Sequence, residues 1–256
     1  GWRPLAGSGV VPKTERVITD DFSANGAFIS HTESMERLGI PKIDTLRMHD
    51  ADSCGGPGAM FFSGAIDQAL GPQGMLAGLR ALRDDGVIKR VSLGMNAHRG
   101  HRDSLEGKGS WSPSVITDLI DAAPSGTIDS ALLAYGFNLL CHDAIEVIAA
   151  CQRAGVKVHV AGTFGGDLYS IFRPVGPDQK AKVAAWQSLA DDHGVSLSSV
   201  AIHFAFLPAC VERVIFGMRS VEEVERNVAA LKEEVPTEIW KEAQRRGLLP
   251  KELRLQ

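Results

Sequence analysis

Apolar positions recur along this chain at two spacings, and the two alternate. Helical spacing runs from Gly26 to Leu38, with Phe28, Ile29, Met35 and Leu38 on one side and Gly39 closing the turn. It returns over Gln73 to Asp85, where Met75, Leu76, Leu79 and Leu82 make a stripe and Gly86 is the expected cap. Further helices are predicted over Pro113–Ala123, Asp143–Ala154, Gln179–His193, Ser198–Leu207, from Ser220 to Leu231, and from Pro236 to Gly247. Ser220 followed by Glu223 reads as a capping box, and Pro113 suits a first helical turn.

Short extended runs separate these helices: Ile43–Asp50, Val91–Met95, Ala131–Phe137, Val156–Ala161 and Arg213–Phe216. Ala131–Phe137 is apolar throughout, as expected of a strand covered on both faces. Alternation of this kind predicts a parallel sheet with right-handed crossovers. No G-x-G-x-x-G turn follows the first strand, so a barrel fits better than an open sheet, although only five strands are evident where a closed barrel has eight. Residues 1–25 show no periodicity and read as loop, apart from a brief run at Arg16–Thr19.

Composition narrows the function. The 256 residues suit one large α/β domain spanning the whole chain. A net charge of −4 with 23% charged residues offers no nucleic-acid footprint. No apolar run reaches the about 18 residues of a membrane span, and no leader is evident. Cys54, Cys141, Cys151 and Cys210 lack C-x-x-C spacing and read as reduced thiols of a cytoplasmic protein.

Chemistry gathers where strands end. His49-Asp50 closes the first long strand, Asn96 the second and Thr163 to Gly165 follow the fourth, in the position where α/β folds keep their active sites. His49, Asp50, Asp52 and Cys54, with His98 and His101, would alternatively suit the metal of a barrel hydrolase. The basic stretch from Arg90 to Arg102 reads as a solvated loop, with binding of a substrate anion as the alternative.

Two motifs then carry a resemblance. Ser34-Met35-Glu36-Arg37-Leu38-Gly39, running on through Ile43-Asp44-Thr45-Leu46 to His49, is similar to a signature of the aldo-keto reductases. Val214 to Ser220, with Glu222, Glu223, Val224 and Asn227, resembles that family's last-strand cofactor motif. The His49-Asp50-Ala51-Asp52 ending and Gly247-Leu248-Leu249-Pro250 look most like the sugar and pyridoxal dehydrogenase branch. The resemblance implies a (β/α)8 barrel represented by about five units, with the first three strands and their catalytic Asp, Tyr and Lys not matched. It implies hydride transfer between a nicotinamide and a sugar or other small aldehyde or alcohol. His49 matches the histidine that orients and polarises the carbonyl. Asn96 falls at the carboxamide, and Phe137 at the ring stacked on the nicotinamide, with Tyr135 as the alternative. Thr163, Phe164 and Gly165 fall along the pyrophosphate, Gly217, Met218 and Arg219 at the adenosine phosphate, and Asn227 at the adenine. Glu223 stands where NADP-preferring members carry arginine. A carboxylate there repels a 2′-phosphate, so NAD is expected, with NADP left open through Arg219. A cofactor-binding scaffold without turnover is the further alternative. Five strands leave sheet edges that a homo-oligomer or a complementing N-terminal segment would cover.

Overall fold

The computed structural model describes residues 2–4, 16–18, 21–51, 68–97, 113–166, 170–251 and 253. Asp52, Cys54, His98, Arg99, His101 and Arg102 lie outside these, and the start of the basic stretch, Arg90–Asn96, is strand rather than the expected loop. The chain divides into two compact units, Gly1–Met95 with Gly100–Ser130, and Asn96–Arg99 with Ala131–Gln256.

The first unit opens with an antiparallel pair, β1 (Trp2–Pro4) and β2 (Arg16–Ile18), with Trp2 in register with Ile18. The loop expected over residues 1–25 is thus corrected: a three-residue strand is too short to show a period. Helix α1 (Ala24–Leu38) starts earlier than the apolar pattern suggests. Ser23 caps it, accepting from the Gly26 N–H, and Gly39 closes it at φ 64°. Strand β3 (Thr45–His49) pairs in parallel with β4 (Arg90–Asn96), Arg47 opposite Ser92 and His49 opposite Gly94. Between them α2 (Met75–Asp84) buries Leu76, Leu79 and Leu82. It crosses α1 at Gly78, where a Cβ would lie 2.7 Å from the Ala24 backbone. The Asp129 carboxylate accepts from the Val91 N–H and from Arg83 at 2.8 and 3.1 Å, anchoring the start of β4. Helix α3 (Pro113–Ala122) buries Ile116, Leu119 and Ile120.

In the second unit β5 (Ser130–Ala134) is shorter than its apolar run. Tyr135 adopts φ 62°, a left-handed turn that no apolar pattern announces, so Phe137 lies beyond the strand. Helix α4 (Ile145–Ala154) ends at Gly155 with φ 71°. Strands β6 (Lys157–Ala161) and β7 (Val211–Ile215) pair in parallel, with a register shift between Val158 and His159. Helices α5 (Gly176–Asp192), α6 (Leu197–Ala205), α7 (Val221–Lys232) and α8 (Glu238–Arg245) complete the unit. Its core centres on Trp186, whose indole N–H donates to the Leu139 carbonyl at 3.0 Å, and on Phe204, stacked on Phe137 at 4.6 Å. Strand order follows chain order, β3-β4-β5-β6-β7, so strands and helices alternate as the pattern predicts.

Candidate active site

Two residues end β3 in different ways. His49 continues the face that carries Arg47, and its side chain is 75% exposed. Asp50 leaves the extended conformation at φ 46°, held by its N–H donating to the Gly94 carbonyl at 2.9 Å. Its Oδ2 lies 3.6 Å from Nδ1 of His49. Its Oδ1 is buried without a hydrogen-bond partner. Burial pushes the Asp50 carboxyl above the usual carboxylate range, and the His49 charge pulls it partly back.

Beneath His49 the same strand face is polar. Arg47 donates from Nε to Ser92 Oγ at 3.0 Å, and Ser92 accepts from Ser130 Oγ at 3.0 Å. Desolvation lowers the Arg47 guanidinium from its ordinary range. Opposite His49, a Cβ on Gly94 would come within 2.6 Å of Arg47 Cδ and 3.4 Å of His49 Cδ2. Glycine therefore keeps room for both side chains. An arginine between Leu46 and Met48 in the strand is the sequence signal for this chain of contacts, and pattern reading passes over it.

The second unit holds the other candidates. Asn96 ends β4 half-buried, and Ala97 next to it donates to the Ala134 carbonyl at 2.9 Å. The Tyr135 ring lies against the loop after β6: a Cβ would meet it at 2.8 Å from Gly162 and at 2.6 Å from Gly166. Phe137 is 0% exposed and its ring is taken up by Phe204. Thr163 is buried, its hydroxyl without a partner, and Gly165 sits at φ 86°. Phe164 bridges to Phe172 and to Phe216, both at 5.2 Å between centroids, which brings the β6 loop beside the end of β7.

From Phe216 the chain runs through exposed Gly217, Met218 and Arg219 into the N-terminus of α7. Ser220 accepts from the Glu223 N–H at 3.2 Å, as a capping box requires. The reciprocal contact differs: the Glu223 carboxylate accepts from the Arg219 N–H at 2.7 Å, and its other oxygen pairs with the Arg219 guanidinium at 3.6 Å. Asn227 is 9% exposed on α7. The N-terminus of α7 and the 85% exposed Arg219 side chain are chemically suited to a phosphate, while the Arg219 N–H is already taken by Glu223. Glu223 adds a carboxylate acceptor beside them. Among the described residues no group of three His, Cys, Asp or Glu could hold a metal ion. No described helix is long and apolar enough to cross a membrane. Cys141, Cys151 and Cys210 are buried thiols, and burial pushes Cys151 up to about 12.

Comparison with known proteins gives the class of this α/β fold. The model of the Aldo/keto reductase family matches residues 11–245, and the chain belongs to that family. It is 27% identical over 243 residues to pyridoxal 4-dehydrogenase of Microbacterium luteolum, covering 90% of this chain and 64% of that one. It is 25% identical over 245 residues to D-threo-aldose 1-dehydrogenase of a Pseudomonas species, with the same coverage of 90% and 64%. L-galactose dehydrogenase of Arabidopsis thaliana is 23% identical over 219 residues, covering 83% of this chain and 60% of the relative. The chain thus spans less than two thirds of the length of these relatives. Among solved structures, the holo form of aldo-keto reductase AKR11C1 from Bacillus halodurans superposes with a TM-score of 0.64 at 20% identity. That likeness covers 93% of this chain and 72% of the other, and it shows the fold.

Proposed function

We propose that the protein is a nicotinamide-dependent oxidoreductase acting on a sugar or another small aldehyde or alcohol. The observation that carries this reading is the exposed His49 imidazole at the end of β3, within the family's motif. A nicotinamide dinucleotide supplies or accepts hydride when bound. Asn96 is assigned to its carboxamide. Of the two aromatic residues after β5, only Tyr135 keeps exposed surface, so ring contact is assigned to it rather than to Phe137. Thr163, Phe164 and Gly165 are assigned to the pyrophosphate, Gly217 to Arg219 to the adenosine phosphate, and Asn227 to the adenine. His49 meets the substrate oxygen, the atom on which charge changes during the reaction. The relatives' names point to aldoses and pyridoxal as the first substrates to try. None of these matches names a metal hydrolase, and none favours a scaffold without turnover.

NAD is favoured over NADP because Glu223 places a carboxylate at the helix N-terminus, where a 2′-phosphate would be repelled. The full-length protein should oxidise an aldose such as L-fucose with NAD. His49→Ala should lower kcat by about 100-fold or more, the size expected for loss of a group handling the reacting oxygen. Retention of full turnover would remove His49 from the mechanism. Glu223→Arg should move preference toward NADP, and an unchanged ratio of kcat/KM for the two cofactors would overturn the cofactor assignment.

A further inference from the structure

Asn138 follows β5 by four residues and is 1% exposed. Its Oδ1 accepts from the N–H groups of Leu140 and Cys141 at 2.9 and 3.0 Å. Its Nδ2 donates to the Tyr135 carbonyl at 2.8 Å and to the Gly162 carbonyl at 3.5 Å. An amide side chain has two donor and two acceptor sites, so all four are used. The turn that carries it is anchored in the core: Asn138 and Cys141 exchange backbone bonds at 2.9 and 3.2 Å, and Leu139 between them accepts from the Trp186 indole. An Asx turn needs only the side-chain oxygen, and an aspartate would close it equally well. The Nδ2 bonds serve something else, the ends of β5 and β6. Tyr135 sits at φ 62°, a costly conformation that persists where its surroundings over-determine it. Its N–H donates to the Ala161 carbonyl at 3.0 Å, and its carbonyl is held by Asn138. With the backbone fixed on both sides, the half-buried ring stands against Gly162 and Gly166, where a Cβ would meet it at 2.8 and 2.6 Å.

We propose that Asn138 is a positioning residue for cofactor binding: by holding the Tyr135 main chain to the Gly162 turn, it fixes the Tyr135 ring as the face on which a nicotinamide ring lies. The inference rests on the assignment of ring contact to Tyr135 given above and adds the group that keeps that ring in place. An aromatic face contributes most to affinity when it is ordered before the ligand arrives. The glycine loop does not depend on Asn138 for its own closure, because Gly165 donates to the Gly162 carbonyl at 2.8 Å. Loss of the Asn138 amide therefore falls on Tyr135 and the nicotinamide end of the cofactor, and spares the adenosine diphosphate end.

The readout is calorimetric affinity for NAD+ against that for ADP-ribose, which lacks the nicotinamide. Asn138→Asp keeps the acceptor that closes the turn and sets an oxygen against the Tyr135 carbonyl. It should weaken NAD+ binding about fivefold, the size of a lost ring stack, and change ADP-ribose binding by less than about twofold. Asn138→Ser, which buries no charge, should show the same selective loss and guards against a folding defect in the aspartate variant. Tyr135→Leu should give the same pattern, and adding Asn138→Asp to it should weaken NAD+ no further, because both act on one ring. The chain has two tyrosines, so a ring 13C label follows Tyr135 directly. Its signals should shift with NAD+ in the unaltered protein and shift less in the Asn138 variants. Unchanged NAD+ affinity, additive effects in the double variant, or equal losses of both ligands (loss through unfolding included) would overturn the proposal. NAD+ bound without moving the Tyr135 signals would also overturn it while leaving the oxidoreductase reading in place. An unaltered protein that binds neither ligand would overturn both.

Discussion

A Cβ on Gly136 would sit 1.7 Å from the Ala97 carbonyl oxygen, and backbone at that distance has no side-chain freedom with which to yield. Gly136→Ala should therefore destabilise the fold by about 3 kcal/mol or more, read as a drop in the urea midpoint. Gly94→Ala presses on the stem of Arg47, which can move, and about 1–2 kcal/mol is expected there. His142 gives a pH dependence. Its half-buried ring lies 5.6 Å from Phe204, its buried Nε2 has no partner, and desolvation, helped by Lys182, lowers its pKa to about 4. The unfolded chain takes up this proton near pH 6.5 and the folded chain only near 4, so the unfolded state binds more protons between those values. Stability from this group is complete above about pH 6.5 and falls as pH drops toward 4, by up to about 3 kcal/mol. Denaturation curves at pH 7 and pH 5 should differ accordingly, and His142→Leu should flatten that part of the profile.

Elements are joined by a few polar contacts whose loss is measurable. Trp186 on α5 is 1% exposed and donates to Leu139, so Trp186→Phe leaves a buried carbonyl unpaired and a void beside it. A loss of about 2–3 kcal/mol follows, with the thermal midpoint as the readout. Ser196 caps α6, and the Glu233 carboxylate at the end of α7 accepts from Ser196 Oγ and from Ser199 Oγ. These hydroxyl contacts hold the Glu233 carboxyl below its ordinary range. Ser196→Ala should cost about 1 kcal/mol, the usual value of an N-cap. Most elements were legible because packing and local preference agree: the apolar stripes of α2 and α3 and the caps at Gly39, Gly155 and Ser220 appear where the pattern places them. The exceptions have local causes. β5 stops at Ala134 because Tyr135 turns left-handed, and α5 begins before its predicted start because Gly176 and Pro177 open it rather than break it.

At the scale of the molecule, mass action gives the simplest check on the cofactor. NAD(H) at 100 times its Kd should stabilise the binding fold by about 2.7 kcal/mol, and a chelator should leave the thermal midpoint unmoved. A midpoint sensitive to the chelator and indifferent to NAD(H) would revive the metal reading. The sequence by itself determined the alternation of strands and helices, the helix ends and the family motifs, because those depend on periodicity and on residue types a few positions apart. Tertiary structure decided which of two nearby aromatics is spent in the core, Phe137 on Phe204, and which lies on a glycine loop, Tyr135. It decided that Glu223 closes onto Arg219. It also decided that Asp50 turns back on His49. Each of these depends on backbone torsions and on neighbours distant in sequence or turned by a single dihedral, and hydrophobic spacing carries no record of either.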